Sequence, residues 1–307
     1  MTRSATPLVS VVVATNRRGP YLAEALASIA AQTHGAVELI VVDDGSPDPD
    51  AVAAAAGVVP GARVVRQEPS GVSIARNRGA SLASGDYLAF LDDDDRWHPE
   101  RLARQVAALE AAPDAVASYC GIQTISADGS RVLAAADQVA VRDRLDIAAR
   151  RTGILLGNLV VRRGEFAVVG GFHTGIRLAE DLDLILGLAE RGPFVFEPGA
   201  LVDYRAYGEN STRRHRELTR SIDHVVRLHL WSARERGDDE LVAALRESLR
   251  KNARFAWWGA ARTARAQLRA RRPGAAAGEV LWALRTAPGG LIDGLARRAG
   301  GKGANAG

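Results

Sequence analysis

Cysteine and methionine occur once each in 307 residues, aromatic residues make up 5%, and no apolar run is long enough to cross a bilayer. The lone Cys120 excludes an intrachain disulfide framework and suits a reducing compartment. Crossing a bilayer takes roughly 20 mostly apolar residues in succession, so no transmembrane anchor is expected. Met1–Pro7 is short and polar, which argues against a signal peptide and for a cytoplasmic protein. Histidine is scarce too, and His34, His98, His224 and His229 fall at spacings that build no metal site. The basic residues come with neither aromatic-interleaved RNA motifs nor zinc ligand sets, so no nucleic-acid partner is expected.

What is present is apolar mass and uneven charge. Hydrophobic residues make up 47% of the chain, enough for a full core, and its length points to one large α/β domain plus an extension. The net charge of +4 conceals a split: residues 1–204 sum to −7 and residues 205–307 to +11. The change of sign marks a boundary near Tyr204 and predicts an anionic partner for the second part, such as a membrane surface or an acidic lipid substrate.

Leu8–Ala14 is an uncharged β-branched run, a strand; after Pro20, the residues Leu22, Ala25, Leu26 and Ile29 recur at i, i+3, i+4 and i+7, one face of a helix. Glu38–Val42 is a second strand running into Asp43-Asp44-Gly45-Ser46. A short helix over Ala51–Ala56 and a third strand at Arg63–Arg66 follow. Gly71–Ser84 reads as a helix with Gly85 as its C-terminal cap, feeding a strand at Tyr87–Leu91. The alternation predicts a doubly wound, mostly parallel α/β sheet with right-handed crossovers. Beyond it, Pro99 opens a helix with Leu102, Val106 and Leu109 on one face, and Val116–Ile125 is a strand turning at Asp128-Gly129. Residues 134–156 fit no pattern; Asn158–Val161 is a strand, Gly170-Gly171 a turn and Ala179–Glu190 a helix. From Ser211 the chain is rich in Ala and Arg, with amphipathic stretches at Ile222–Trp231, Leu241–Trp258 and Val280–Leu284. Residues 300–307 form a Gly/Ala tail expected to be disordered.

The chemistry concentrates where the strand Tyr87–Leu91 delivers four consecutive carboxylates, Asp92–Asp95, to one point. In open α/β sheets ligands bind at the C-terminal strand edge, and crowded carboxylates there call for a hard divalent cation. Asp92 and Asp94 offer two oxygen donors close together, suited to Mg²⁺ or Mn²⁺ shared with substrate phosphates. A solvated acidic turn capping the next helix is the other reading of the same residues.

An ordered set of motifs carries a resemblance. It comprises Val11–Thr15 with Arg18, Leu22 and Ala25-Leu26, then Gln32-Thr33, Val41–Ser46, Gly71-Val72-Ser73 and Ala75-Arg76-Asn77 with Gly79. It continues with Phe90–Asp95, Trp97 and Pro99, and ends with Gly170-Gly171-Phe172 and Glu180-Asp181. The set resembles the large glycosyltransferase family 2, of GT-A fold, over about residues 8–207. The resemblance implies transfer of a sugar from a nucleoside-diphosphate sugar to an acceptor hydroxyl, inverting and assisted by Mn²⁺ or Mg²⁺. The acceptor would be a glycan of the cell envelope, a lipid-linked glycan or a small molecule.

The resemblance also divides the chain. Residues 1–207 would be the catalytic domain, with a nucleotide-sugar half at about 8–97 and an acceptor half at about 98–207, and residues 208–299 a basic helical extension. Ala14, Thr15, Arg18, Asp43, Asp44, Ser73, Arg76 and Asn77 would surround the nucleotide, with Asp92 or Asp93 facing the ribose or the metal's waters. The family's Asp-x-Asp falls on Asp92 and Asp94, with Asp94 the principal metal ligand. Glu180-Asp181 matches the family's Glu-Asp pair, whose aspartate is the base. The parts suit the reaction, because a divalent cation stabilises charge on a leaving diphosphate and a carboxylate must take the acceptor's proton.

The chain also departs from the family pattern. Ala14 stands where the family often has Pro, Asn16 where it often has an aromatic, His173 where it often has Asp, and Tyr207 where it often has a histidine, for which His215 is the candidate substitute. Two other classes compete: a sugar-phosphate nucleotidyltransferase and a non-catalytic binding protein of the same fold. For the basic extension, Phe255, Trp257, Trp258 and Trp282 among arginines fit a helix lying on an anionic membrane at the inner face. They fit equally a packing face against the rest of the protein or a second subunit.

Overall fold

The computed structural model describes residues 6–16, 19–207 and 214–290. Arg18 and residues 300–307 lie outside them. The chain divides into two compact units, Met1–Gly208 and Glu209–Gly307.

The first unit opens with β1 (Val9–Thr15), α1 (Tyr21–Ala30), β2 (Val37–Asp44), α2 (Pro49–Ala56), β3 (Arg63–Gln67), α3 (Val72–Ser81) and β4 (Tyr87–Asp92). The four strands are parallel and ordered β3-β2-β1-β4. β1 therefore sits where strand order reverses, the position at which such sheets open a ligand crevice. Register aligns the strand ends: Thr15 lies beside Asp43, and Ala14 beside Asp92. The α1 periodicity is met in full, with Leu22, Ala25, Leu26 and Ile29 all buried. Asp48 caps α2 by accepting from the Ala51 amide at 3.1 Å.

Gly85 is not a helix cap. α3 ends four residues before it, and the reason for glycine is close approach: a Cβ would stand 2.6 Å from the Leu8 carbonyl oxygen and 2.8 Å from the Ser10 nitrogen.

The unit continues with β5 (Arg96–Trp97), α4 (Arg101–Ala111), β6 (Ala117–Ser126), β7 (Val132–Ala134), α5 (Arg144–Ala148), β8 (Leu159–Arg162), α6 (Arg163–Val168), α7 (Glu180–Ala189) and β9 (Phe194–Ala206). The sheet is mixed. β8 joins β4 and β6 antiparallel, β6 and β9 run parallel, and β7 pairs only with β6. β1 shows the two layers by alternation: Val9, Val11 and Val13 face Leu22, Leu26 and Leu102, while Val12 joins Leu88, Phe90, Phe166 and Phe172 on the other side. Trp97 is a packing residue, 3% exposed, with the Arg101 guanidinium 3.8 Å from its ring centre. Arg101 is fully buried, and burial lowers its pKa to about 10.

The second unit consists of α8 (His215–Glu235), α9 (Asp239–Arg269) and α10 (Pro273–Thr286). Trp282 packs with Ala256, Ala260 and Ala283, and Trp257 lies against the same cluster. These two rings are thus core between α9 and α10, whereas Trp258 and Trp231 are exposed. His215, the candidate substitute at the metal, is engaged inside this unit, with Nε2 3.1 Å from a Glu279 oxygen and its ring edge-on to Trp282. No helix among the described residues is long and apolar enough to cross a membrane.

Candidate functional site

The ends of β1, β2 and β4 and the first turns of α3 and α7 converge on one edge of the sheet. Thr15 Oγ1 donates to Asp93 at 2.6 Å, joining the ends of β1 and β4. Ala14 packs beside Ile40, Val42 and Ala75. The Asp43 carboxylate accepts from the Ser46 amide at 2.7 Å and from Arg66. Asp44 accepts from the Gln67 side chain and from the amides of Ser70 and Gly71, each at 2.8 Å. Both aspartates therefore shape the loops at this edge, and contact with a base would add to these bonds. Ser73 Oγ donates to the Ile176 carbonyl at 3.4 Å.

The Asn77 side-chain amide donates to the Phe172 carbonyl at 2.8 Å and its oxygen accepts from the Phe172 nitrogen at 2.9 Å, so Asn77 holds the Gly170-Gly171-Phe172 turn beside this edge. Gly171 is required there, with φ +70° and a would-be Cβ 2.6 Å from Asn77 Oδ1.

Arg76 is the link between the two acidic clusters. Its guanidinium donates to Glu180 at 2.7 Å and to Asp92 at 2.5 Å, and the residue is 7% exposed. Burial alone would depress its pKa, but Asp92 and Glu180 outweigh burial and hold it above the ordinary arginine value.

Asp92, Asp94 and Asp95 can each present an oxygen within 4.8 Å of the others. Hard carboxylate oxygens at that spacing fit Mg²⁺ or Mn²⁺. Sequence reading had assigned Asp92 and Asp94; Asp95 is the addition. Burial pushes the Asp95 carboxyl well above the usual range, and the like charges of Asp92 and Asp94 push it further, the imbalance a cation would relieve. The end of β9 braces this cluster: the Arg205 amide donates to Asp95 at 2.8 Å, Arg205 Nε donates to the Asp94 carbonyl at 2.8 Å, and Tyr207 Oη donates to Asp94 Oδ2 at 2.5 Å. Arg205 is 1% exposed, pairs with Glu24, and lies 4.4 Å from the Tyr21 ring centre.

On the other side of Arg76, Ala179 adopts a left-handed φ of 63° and turns the chain into α7, so that Glu180 and Asp181 open the helix. Burial raises the Glu180 carboxyl, and Arg76 offsets it only in part. Burial likewise raises Asp181, against the Leu182 amide and Arg76, which pull it down; the side chain keeps a partly exposed edge. Arg150 also pulls Asp181 down and sits at a left-handed φ of 52°, conformationally costly for a non-glycine residue. Arg150, Arg205 and Glu24 escaped sequence reading. For Arg205 the only signal was its place in Tyr204-Arg205-Ala206-Tyr207.

Comparisons with known proteins bear on the family and the fold. The "Glycosyl transferase family 2" family model matches residues 10–166, just over half of the chain. An uncharacterised glycosyltransferase of Rickettsia felis is 27% identical over 68% of this chain and 36% of its own length. A putative teichuronic acid biosynthesis glycosyltransferase of Bacillus subtilis, TuaG, is 27% identical over 74% of this chain and 84% of its own. The chain thus spans about a third of the first of these relatives. Among solved structures, TarS 1–349 of Staphylococcus aureus, in complex with UDP-GlcNAc, superposes with a TM-score of 0.63 at 16% identity, over 88% of this chain and 89% of that one. Likeness at that identity concerns the fold, which is GT-A. The family pattern runs from β1 through β8, the segment that carries Thr15, Asp43, Asp44 and the Asp92–Asp95 cluster, and the chain belongs to glycosyl transferase family 2.

Proposed function

We propose that the protein is an inverting, metal-dependent glycosyltransferase that moves a sugar from a nucleoside-diphosphate sugar to an acceptor hydroxyl. The observation that carries the reading is the double ion pair of Arg76, which holds Asp92 of one acidic cluster and Glu180 of the other on a single guanidinium. Two carboxylate groups with different surroundings are thereby kept a side chain apart, as a reaction needs that stabilises a leaving diphosphate at one and removes a proton at the other. Asp92 and Asp94, with Asp95, would hold Mn²⁺ or Mg²⁺, which when bound supplies Lewis-acid stabilisation of the diphosphate.

Asp181 is the base. Its raised pKa brings it nearer neutrality than an ordinary aspartate, where a carboxylate takes a proton more readily, and the Arg76 cation, paired with Glu180, acts on it through space. Thr15, Asp43, Asp44, Ser73 and Asp93 line the nucleotide side. With a base distinct from the carboxylates that would hold the diphosphate's cation, direct displacement with inversion is the path we assign. The UDP-GlcNAc complex of TarS and the teichuronic acid assignment of TuaG favour a UDP-sugar donor and a cell-envelope glycan acceptor.

The test is incubation with UDP-, GDP- and dTDP-sugars and Mn²⁺, with NMR of the product anomer. Release of nucleoside diphosphate with an inverted product, lost in Asp94→Asn, is the expected result. Release of pyrophosphate from a sugar phosphate and a nucleoside triphosphate would make it a nucleotidyltransferase, and binding without turnover a non-catalytic protein.

A further inference from the structure

We propose that the exposed face of α8, together with the cleft beside it, docks the protein onto an anionic phospholipid membrane. Arg220, His224, Arg227, Trp231 and Arg234 recur at i, i+4, i+7, i+11 and i+14, which puts them on one face of the helix. All five are exposed, Trp231 at 66%. The opposite face carries Ile222, Val225, Val226, Leu230 and Ala233, all buried. Core packing is thus complete without the outer face, and Trp231 with its neighbour Leu228, 43% exposed, is left to solvent between cations.

The stripe borders a cleft of about 230 Å³ lined by Arg220, Asp223, His224 and Arg227 of α8, Asn252 of α9 and Thr286 of α10. Asp223 is the acid on this rim, and Arg227 pairs with it at 2.5 Å. The cleft exceeds the roughly 150 Å³ that holds a benzene and falls short of the roughly 300 Å³ at which drug-sized pockets begin. That range suits a single phosphodiester headgroup. Charge complementarity selects the occupant, since residues 205–307 carry +11 and an inner leaflet carries anionic lipid. The tryptophan selects a bilayer over an acidic peptide: an exposed indole among arginines matches the depth at which rings meet headgroups while the cations meet phosphates.

Binding is read without turnover, so the inference is independent of sugar transfer. In flotation with the full chain, vesicles of phosphatidylglycerol and phosphatidylcholine in equal parts should carry the protein, and pure phosphatidylcholine should not. Binding should fade as salt shortens the screening length from about 10 Å at 0.1 M to about 3 Å at 1 M. Each basic residue near an anionic surface is worth roughly fivefold in partition, so Arg220→Glu/Arg227→Glu/Arg234→Glu, which reverses three charges, should lose well over about 100-fold, and the milder Arg220→Gln/Arg234→Gln, which keeps the Asp223 pair, about 20-fold. Trp231→Ala should lose severalfold, while the charge-matched Arg63→Glu/Arg78→Glu/Arg131→Glu on the first unit should bind like wild type.

Three outcomes overturn the proposal. They are no binding to the mixed vesicles at low salt, undiminished binding by the double variant, and displacement by inorganic phosphate well beyond that by sodium chloride of equal ionic strength, which would make the ligand a soluble phosphate.

Discussion

At Tyr207 a phenol stands on the carboxylate that the proposed metal site relies on most. Its hydroxyl donates to Asp94, and its ring centre lies 5.3 Å from that of Tyr21, so the donor is held by packing as well as by its bond. Outer hydrogen-bond partners of metal ligands typically change affinity by about 10–100-fold. Tyr207→Phe should therefore weaken Mn²⁺ binding by about tenfold, measured by titration calorimetry, with little change in melting temperature in EDTA. For Asp181→Asn the expected loss in kcat is about 10²–10⁴-fold with donor affinity nearly unchanged, the signature of a missing base. Burial raises the Asp181 carboxyl, and the base works deprotonated, so the acid limb of the wild-type pH–rate profile should lie above the ordinary aspartate value. That limb should vanish in Asp181→Asn. The four aspartates after β4 and the Glu180-Asp181 pair were legible because each cluster is contiguous in sequence. Their braces were not, because Arg205 reaches Glu24 across 181 residues and no local pattern marks such a pair.

The elements meet at this edge through few but demanding contacts. α3 is joined to β4 and α7 by the Arg76 ion pairs, and removing one partner of a buried pair strands the others. Arg76→Met should cost about 3 kcal/mol in denaturant unfolding, toward the low end of that range because the Asp92 side chain is 44% exposed. It should also shift the acid limb of any residual activity upward, since Arg76 pulls the Asp181 carboxyl down. Gly85→Ala would push a methyl group against the Leu8 carbonyl and should cost about 1–3 kcal/mol without touching a site residue. Element type was readable wherever one face is buried and the repeat is regular, as in α1 and α4. It was unreadable in β9, where Pro198-Gly199 interrupts the alternation and the register with β6 shifts, and in the short α5, which the polar cap Asp143 starts and whose five residues show less than two turns.

At the scale of the whole molecule, an acidic α/β unit is followed along the chain by a basic helical one. UDP with Mn²⁺ should raise the melting temperature, by about 2.7 kcal/mol of added stability at a hundredfold excess over its dissociation constant, and EDTA should cancel most of the gain; equal stabilisation with and without metal would remove the cation from the proposal. The parallel half of the sheet and the placing of the acidic residues at the ends of its strands follow from sequence alone, because β-branched runs, helical repeats and adjacent carboxylates are local properties that need no partner to be recognised. Tertiary structure alone decided that Asp95 joins Asp92 and Asp94, that Asn77 holds a turn, that Trp257 and Trp282 are core while Trp231 is not, and that one guanidinium ties the two acidic clusters. Each of those depends on which side chains approach across the sheet or between helices, and such distances are set by packing of segments far apart in the chain.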